Sequence, residues 1–201
     1  MSKGLQTGLI VIGIILVLGI LIYNLTGGTY NKLVRLEEAV KAQWGQVENV
    51  YQRRADLIPN LVETVKGYAA HEKDTLKAVV DARSRVGSFT VDQSVINNPE
   101  SFQKFQAAQG QLSSALSRLM MVTENYPNLK ANENFLELQS QLEGTENRIA
   151  VERKRYNDAA QEFNTVRRSF PAFIIANMAG MQEKAYFQAE EGAKTAPKVK
   201  F

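Results

Sequence analysis

The chain of 201 residues contains no cysteine and only one histidine, which excludes several kinds of site. Without cysteine it forms neither a disulfide nor a thiolate metal site. His71 begins the run HEKDT, but Thr75 stands where a zinc-protease motif has its second histidine. The sequence holds neither a glycine-rich phosphate loop nor a G-x-S-x-G elbow. We therefore predict that the protein is not an enzyme, that it has no catalytic residue, metal site or cofactor, and that His71 is a solvated side chain on a helix.

Neither sign of charge is in strong excess, since 24 Lys and Arg residues face 21 Asp and Glu residues and the net charge is +3. This mild balance gives no reason to expect a nucleic-acid partner, and no small-molecule substrate is evident.

Four glutamates gather in one predicted helix; they are Glu143, Glu146, Glu152 and Glu162. Metal-binding carboxylate bundles also use Glu-x-x-His pairs, which this helix does not contain, so a solvated face is the better interpretation. Glu152 differs because it falls on the apolar stripe, where a buried carboxylate requires a cationic partner. The candidates for that partner are Arg83, Lys104 and Lys41, and a half-exposed glutamate is the alternative.

Charged residues are missing altogether between Lys3 and Lys32. Inside this gap, residues 8–23 read GLIVIGIILVLGILIY, and with their neighbours they give about twenty mostly apolar positions, enough for a helix to cross a bilayer. A cleaved signal peptide would have a shorter apolar core and a small-residue cleavage site, for which Thr26-Gly27-Gly28 is a poor match. We predict that residues 1–29 form a retained transmembrane anchor.

The positive charges that flank this anchor bear on its orientation in the membrane. The short N-terminal segment with Lys3 is typical of an anchor whose N-terminus stays inside, which places the following domain outside the cytoplasm. The cations Lys32, Arg35 and Lys41 favour the opposite orientation under the same rule.

Residues 30–190 are rich in helix-forming residues with apolar positions at helical spacing, which predicts an all-α domain. Four segments are expected: 31–57, 59–85, a third that starts at Asn98-Pro99, and a fourth with a heptad seam from Phe135 to Phe170. Ile58-Pro59 predicts a tight hairpin between the first two, with one long kinked helix as the alternative. The fold expected is a single N-terminal transmembrane helix followed by an antiparallel up-and-down four-helix bundle. Residues 191–201 are a polar, lysine-containing tail.

Two blocks of the sequence are familiar. The first contains YQRRADLIPNLVETVKGYAAHE (residues 51–72), and the second contains ENRIAVERKRYNDAAQEFNTVRRSFP (residues 146–171). Together they resemble the LemA family of bacterial membrane-anchored helical proteins, over essentially the whole chain. The resemblance implies a helical bundle behind one transmembrane helix in the bacterial cytoplasmic (inner) membrane. It implies no activity, although one relative associated with magnetosome membranes suggests membrane organisation.

Two groups of residues are candidates for an interaction surface. The first, Arg53, Arg54 and Asp56, precedes the predicted hairpin, and a helix C-terminus stabilised by cations is its simpler explanation. The second group comprises Phe173, Ile174, Ile175 and Met178, which form one apolar face of a helix too short to span a membrane. We expect this face to lie at the membrane-proximal pole, with Lys184 at headgroup level; the alternative is that it caps the bundle.

An anchor, a helical bundle and no catalytic constellation predict a membrane-anchored scaffold or adaptor that organises itself or protein partners at the bilayer. The alternative is a sensor module that binds a small ligand between helices. The fourth seam is longer than the other segments can cover, leaving residues 156–170 partly without a partner. Either the chain after Pro171 folds back over it or a second subunit does, and we predict a homo-oligomer.

Overall fold

The computed structural model describes residues 3–88 and 93–188, except for the side chains of residues 3, 5–10 and 21–25. The described residues form seven helices and no strand, so the all-α prediction is confirmed. The helices are α1 (Lys3–Tyr68), α2 (Lys73–Gly87), α3 (Gln93–Asn97), α4 (Pro99–Thr123), α5 (Pro127–Lys130), α6 (Glu133–Arg168) and α7 (Ala172–Met178).

The four long helices run up, down, up and down. Side chains of α1 meet α6 in antiparallel order, because Gln43 bonds to Glu152 whereas Arg54, farther along α1, bonds to Glu146. Two apolar clusters are stacked along this bundle. The lower cluster surrounds Trp44, and the upper cluster surrounds Leu61.

The predicted hairpin at Ile58-Pro59 is wrong, because α1 continues through Pro59 to Tyr68 and the chain reverses only afterwards. Pro59 has no N–H, so the carbonyl four residues earlier, that of Ala55, loses its helical donor. Arg83 of α2 supplies the missing bond, with its Nε donating to the Ala55 oxygen at 2.9 Å. A second helix thus makes the proline tolerable where local rules predict a break.

The reversal that replaces this hairpin occupies residues 69–72, between α1 and α2. His71 lies exposed in this turn rather than on a helix.

The predicted start of α4 is confirmed, since the Asn98 side chain accepts bonds from the backbone N–H groups of Glu100 and Ser101 at 3.0 and 3.1 Å. Asn132 caps α6 in the same way. Short polar side chains at these positions satisfy N–H groups that have no helical partner.

After α7 the chain turns at Gly180, whose φ of 68° suits glycine, and returns along the bundle as an extended segment. Residues 181–188, here called the strap, cover the lower half of the α6 seam. Tyr156 and Phe163 are fully buried beneath it. The seam that motivated the prediction of self-association is therefore covered by the chain itself, by the fold-back that the sequence left open.

The predicted anchor falls partly on residues whose side chains lie outside the description. Over the residues that are described, no helix holds a stretch sufficiently long and apolar to cross a bilayer. The predicted tail, residues 191–201, lies outside the described residues.

Candidate interaction site

A cleft of about 860 Å³ opens between α4 and α6. Residues from α4 form one wall, including Gln106, Gly110 and Ser113, and Glu146 and Arg153 of α6 stand opposite. The strap closes the lower end. Because the α4 wall is built from small and amide-bearing side chains, the cleft offers hydrogen-bonding groups along this wall.

Arg54 lies at the floor of this cleft and joins three helices. Its Nη1 donates to Ser113 Oγ at 2.9 Å and to Glu146 Oε1 at 2.8 Å, and its Nη2 donates to the amide oxygen of Gln109. The Tyr51 ring lies 5.1 Å from the guanidinium carbon. Arg54 is only 1% exposed, and its Nε has no acceptor among the residues that the structure describes. A buried guanidinium of this kind fixes the spacing of α1, α4 and α6, since removing it leaves the buried Gln109 amide without its donor.

Placing Arg54 at a helix C-terminus is therefore wrong, because α1 extends another fourteen residues beyond it to Tyr68. The sequence also places Arg54 in one candidate surface with Arg53 and Asp56. Both of those residues are exposed, and Asp56 accepts a bond from Gln52. Arg54 points into the bundle and does not share a surface with its two neighbours.

Glu152 is largely buried, with a side chain 14% exposed, but its predicted partners are wrong. Arg155 pairs with it at 2.8 Å on the same helix, and Gln43 of α1 donates to its other oxygen at 2.6 Å. The three candidate cations have other acceptors: Lys41 pairs with Glu38, Lys104 pairs with Glu100, and Arg83 bonds to Ala55.

The strap is held by side-chain amides that bond to its backbone. Asn164 donates to the carbonyl of Lys184 and accepts from its N–H, both at 2.9 Å. Asn157 makes the same pair of bonds with Phe187, at 3.0 and 2.9 Å. Gln106 of α4 makes a third pair with Gln188. Each amide thus satisfies one backbone donor and one backbone acceptor.

Lys184 is the strap's deepest polar residue, at 1% exposure, so its predicted position among lipid headgroups is wrong. Its Nζ lies 2.6 Å from both Glu37 Oε1 and Asn97 Oδ1, and 5.1 Å from the centre of the Phe163 ring. A buried ammonium needs such partners because desolvation alone would expel its charge.

Aromatic rings pack around Phe187 of the strap. Phe187 contacts Trp44, Phe102 and Tyr156, with ring centroids between 4.8 and 6.1 Å apart. The Tyr156 hydroxyl donates to the Ala185 carbonyl at 3.0 Å. Burial of this phenol raises the pKa of Tyr156 above its ordinary value of 10.0.

The second predicted group is divided by the structure. Phe173, Ile174 and Met178 of α7 are exposed, by 43%, 45% and 85%, whereas Ile175 packs against the lower core. Phe170, which precedes α7, is 81% exposed. The opposite face of α7 packs against α1 in the cluster that contains Leu33, close to the predicted anchor.

Among residues 3–88 and 93–188, no group of three or more histidine, aspartate and glutamate side chains could hold a metal ion.

Comparison with known proteins gives a family match and several curated relatives. The sequence profile of the LemA family matches residues 43–201. Magnetosome protein MamQ 2 of Paramagnetospirillum magneticum is 27% identical over 183 residues, which cover 83% of this chain and 67% of the relative. Magnetosome protein MamQ of Magnetospirillum gryphiswaldense is 26% identical over 183 residues, with the same coverage. Protein LemA of Metamycoplasma hominis is 24% identical over 188 residues, covering 94% of this chain and 81% of that protein.

Proposed function

The chain belongs to the LemA family, and on that premise we propose that it is a non-enzymatic, membrane-anchored helical adaptor that organises itself or protein partners at the bacterial cytoplasmic membrane. The observation that carries the proposal is the section of α1 whose large apolar side chains are exposed. Eight large apolar side chains between Val11 and Ile20 are each exposed by 49–62%. They point to all sides of the helix, and so many exposed apolar groups require an apolar surrounding. The magnetosome relatives, named for a membrane-bounded compartment, support the same setting.

The N-terminus stays inside in this proposal, and the bundle lies outside the cytoplasm. A single introduced cysteine tests this cleanly, because the chain has none of its own. Ser88→Cys at the exposed end of α2 should react with a membrane-impermeant maleimide in intact spheroplasts. Gly4→Cys, on the other side of the anchor, should react only after the membrane is opened. The reverse pattern would place the bundle inside, and loss of both proteins from the membrane fraction would reject the anchor itself.

The exposed face of α7 completes the membrane-proximal pole. Phe170, Phe173, Ile174 and Met178 lie beside the part of α1 that follows the anchor, where their apolar side chains enter the lipid boundary. Lys32 is exposed on α1 just after the anchor and is the partner for lipid phosphates at this pole, since Arg168 already pairs with Glu183. The anchor holds the bundle at the membrane, and α7 orients it.

A bimane fluorophore tests this contact. The label is attached at Phe170→Cys in full-length protein reconstituted in vesicles of phosphatidylethanolamine and phosphatidylglycerol that carry a headgroup-level spin label. Quenching should be strong at this position. The matched control is Met121→Cys, which is 65% exposed near the opposite end of the bundle and should stay unquenched. Equal quenching at both positions, or none at Phe170, contradicts the contact.

The cleft between α4 and α6 favours a second function, that of a sensor for a small ligand. Its volume lies within the range of small-molecule sites. Gly110 lines the cleft, and a Cβ built there meets no atom within 4 Å. Gly110→Phe should therefore fill the cleft without unfolding the helix, whereas Gly144→Phe, on exposed α6 surface, is the matched control. A compound that raises the melting temperature of wild type and Gly144→Phe but not of Gly110→Phe supports a sensor. A fragment library with no such member argues against it.

A further inference from the structure

The strap is bound to the bundle in the way that a receptor binds an extended peptide. Most of its backbone bonds go to side chains of other elements, namely Asn164 and Asn157 on α6 and Gln106 on α4. In addition, the Ala185 N–H donates to the backbone carbonyl of Ile96 at 3.3 Å. Backbone recognition of this kind supplies affinity, and pockets for individual side chains supply specificity.

The spacing of the two asparagines fits such a ligand. Asn157 and Asn164 are seven residues apart on α6, a rise of about 10.5 Å along a helix. Their partners, Phe187 and Lys184, are three residues apart, which is about 9.3 Å in a polyproline II segment. The distance between the two asparagines on α6 thus nearly equals the distance between their partners on the strap. Each side-chain amide can therefore bond to one backbone N–H and one backbone C=O.

Every third side chain of the strap points into the bundle, which is the same spacing as that of the two backbone contacts. Met181, Lys184 and Phe187 are buried, and the exposed residues lie between them. Lys184 enters a polar pocket with Glu37 and Asn97, while Phe187 fills an aromatic one. The groove therefore selects a segment of the form apolar-x-x-Lys-x-x-aromatic.

We propose that this groove is a peptide-recognition site, and that a second copy of the chain fills it with its own strap. The proposal deepens the adaptor function and rests on it, because it names the partner that the adaptor organises. A second copy carries the selected segment by identity, so an exchanged strap makes the same contacts as the observed one. Anchoring both copies in one membrane raises the effective concentration of each strap near the other's groove. Gln188 lines the open cleft between α4 and α6, so this part of the strap is accessible from that cleft.

Two positions where the strap meets α6, half-buried Arg153 and exposed Gln188, allow a direct test. Arg153 reaches the strap, with its Nη2 3.2 Å from the Gln188 carbonyl oxygen. One chain carries Arg153→Cys and a second, with a different tag, carries Gln188→Cys. The two are co-expressed so that they fold together, and the membranes are treated with a short bismaleimide. Only a strap lying in the other chain's groove brings these two thiols together.

The matched control replaces Arg153→Cys by Lys154→Cys, the next residue on α6, which pairs with Asp158 away from the strap. Strap exchange predicts roughly tenfold or more crosslinked heterodimer for the first pair than for the control. A side-by-side association without exchange gives equal crosslinking in both. That result overturns the proposal, as does the absence of any heterodimer.

Complementation between two defective chains provides an independent measurement. One chain carries Lys184→Ala and Phe187→Ala, which disable its strap but leave its groove intact. The other carries Asn157→Ala and Asn164→Ala, which disable its groove. Together they should form a heterodimer with a melting temperature above that of either alone. If neither chain folds alone or together, the cysteine pairs still decide the question.

A synthetic peptide of residues 181–188, MQEKAYFQ, identifies the occupant. It should bind the strap-disabled chain and raise its melting temperature, whereas a peptide with both anchor residues changed to alanine should not. Peptide binding without a crosslinked heterodimer shows a groove whose partner is not a second copy, and overturns the proposal. Such a failure leaves the membrane contact of α7 untouched, since bimane quenching at Phe170 measures it separately.

Discussion

Pro59 and Arg83 form a pair whose coupling can be measured by a double-mutant cycle. The Pro59 ring removes the N–H that would bond to Ala55, and Arg83 donates to that carbonyl instead. Arg83→Ala in the wild-type background leaves a half-buried carbonyl without its protein donor, which should cost about 1–2 kcal/mol of unfolding free energy. Pro59→Ala restores the N–H and should itself stabilise α1 by about 1–3 kcal/mol.

In the Pro59→Ala background, the helix bonds to Ala55 directly, and Arg83→Ala should cost only a few tenths of a kcal/mol. The coupling free energy between the two sites is therefore expected to be about 1 kcal/mol or more. Urea unfolding of the full-length protein in detergent, followed by circular dichroism, gives the four values of the cycle. Lys77→Ala serves as a control on the exposed face of α2. If Arg83→Ala costs the same in both backgrounds, Arg83 does not compensate for the proline.

The other predictions concern single positions. Arg54→Ala should lower the unfolding free energy by about 1–3 kcal/mol, because the buried Gln109 amide loses its donor. Arg53→Ala, at an exposed neighbour, should change it by less than about 0.5 kcal/mol, and similar effects of the two substitutions would contradict the proposed role of Arg54. The raised pKa of Tyr156 means that its stabilising contribution is complete below pH 10 and is lost as the pH rises above 10, where the unfolded chain ionises first. Tyr156→Phe should therefore flatten the alkaline fall in stability, and an unchanged fall in chemical denaturation between pH 9 and 11 would assign it to other groups. Asn98→Ala should cost about 1 kcal/mol and Asn98→Asp much less, as measured by urea midpoints, because both Asn and Asp accept bonds at the start of α4.

The sequence predicts most of the bundle because its helices carry strong local signals. Asn98-Pro99 and Asn132 mark two helix starts, and both side chains make the expected bonds. The hairpin at Pro59 fails for a physical reason: the donor that rescues the Ala55 carbonyl comes from Arg83, which is distant along the chain. No local rule includes such a donor, so local rules predict a break at this proline.

The buried polar residues of the site differ in how clearly the sequence indicates them. Arg54 completes the apolar spacing between Tyr51 and Ile58, so an arginine on the core stripe was a signal for a buried polar network. Gln109 stands in the same way among the apolar positions of α4. Lys184 lies outside any helix, and its burial depends on Glu37, far away in sequence. The only local signal is the three-residue spacing of Met181, Lys184 and Phe187, which does not match the apolar spacing of a helix.

The continuity of α1 has a geometrical consequence. The 66 residues from Lys3 to Tyr68 form one continuous helix of about 100 Å, so the proposed anchor and the bundle belong to the same rod. In the proposed arrangement, rotation of the anchor about its own axis therefore sets the direction in which each face of the bundle points. Each residue inserted after Gly28 would turn the bundle by about 100° and displace it by about 1.5 Å, whereas seven inserted residues would nearly restore its original facing. In the proposed arrangement, a partner fixed in the same membrane would meet a different face of the bundle after each single insertion.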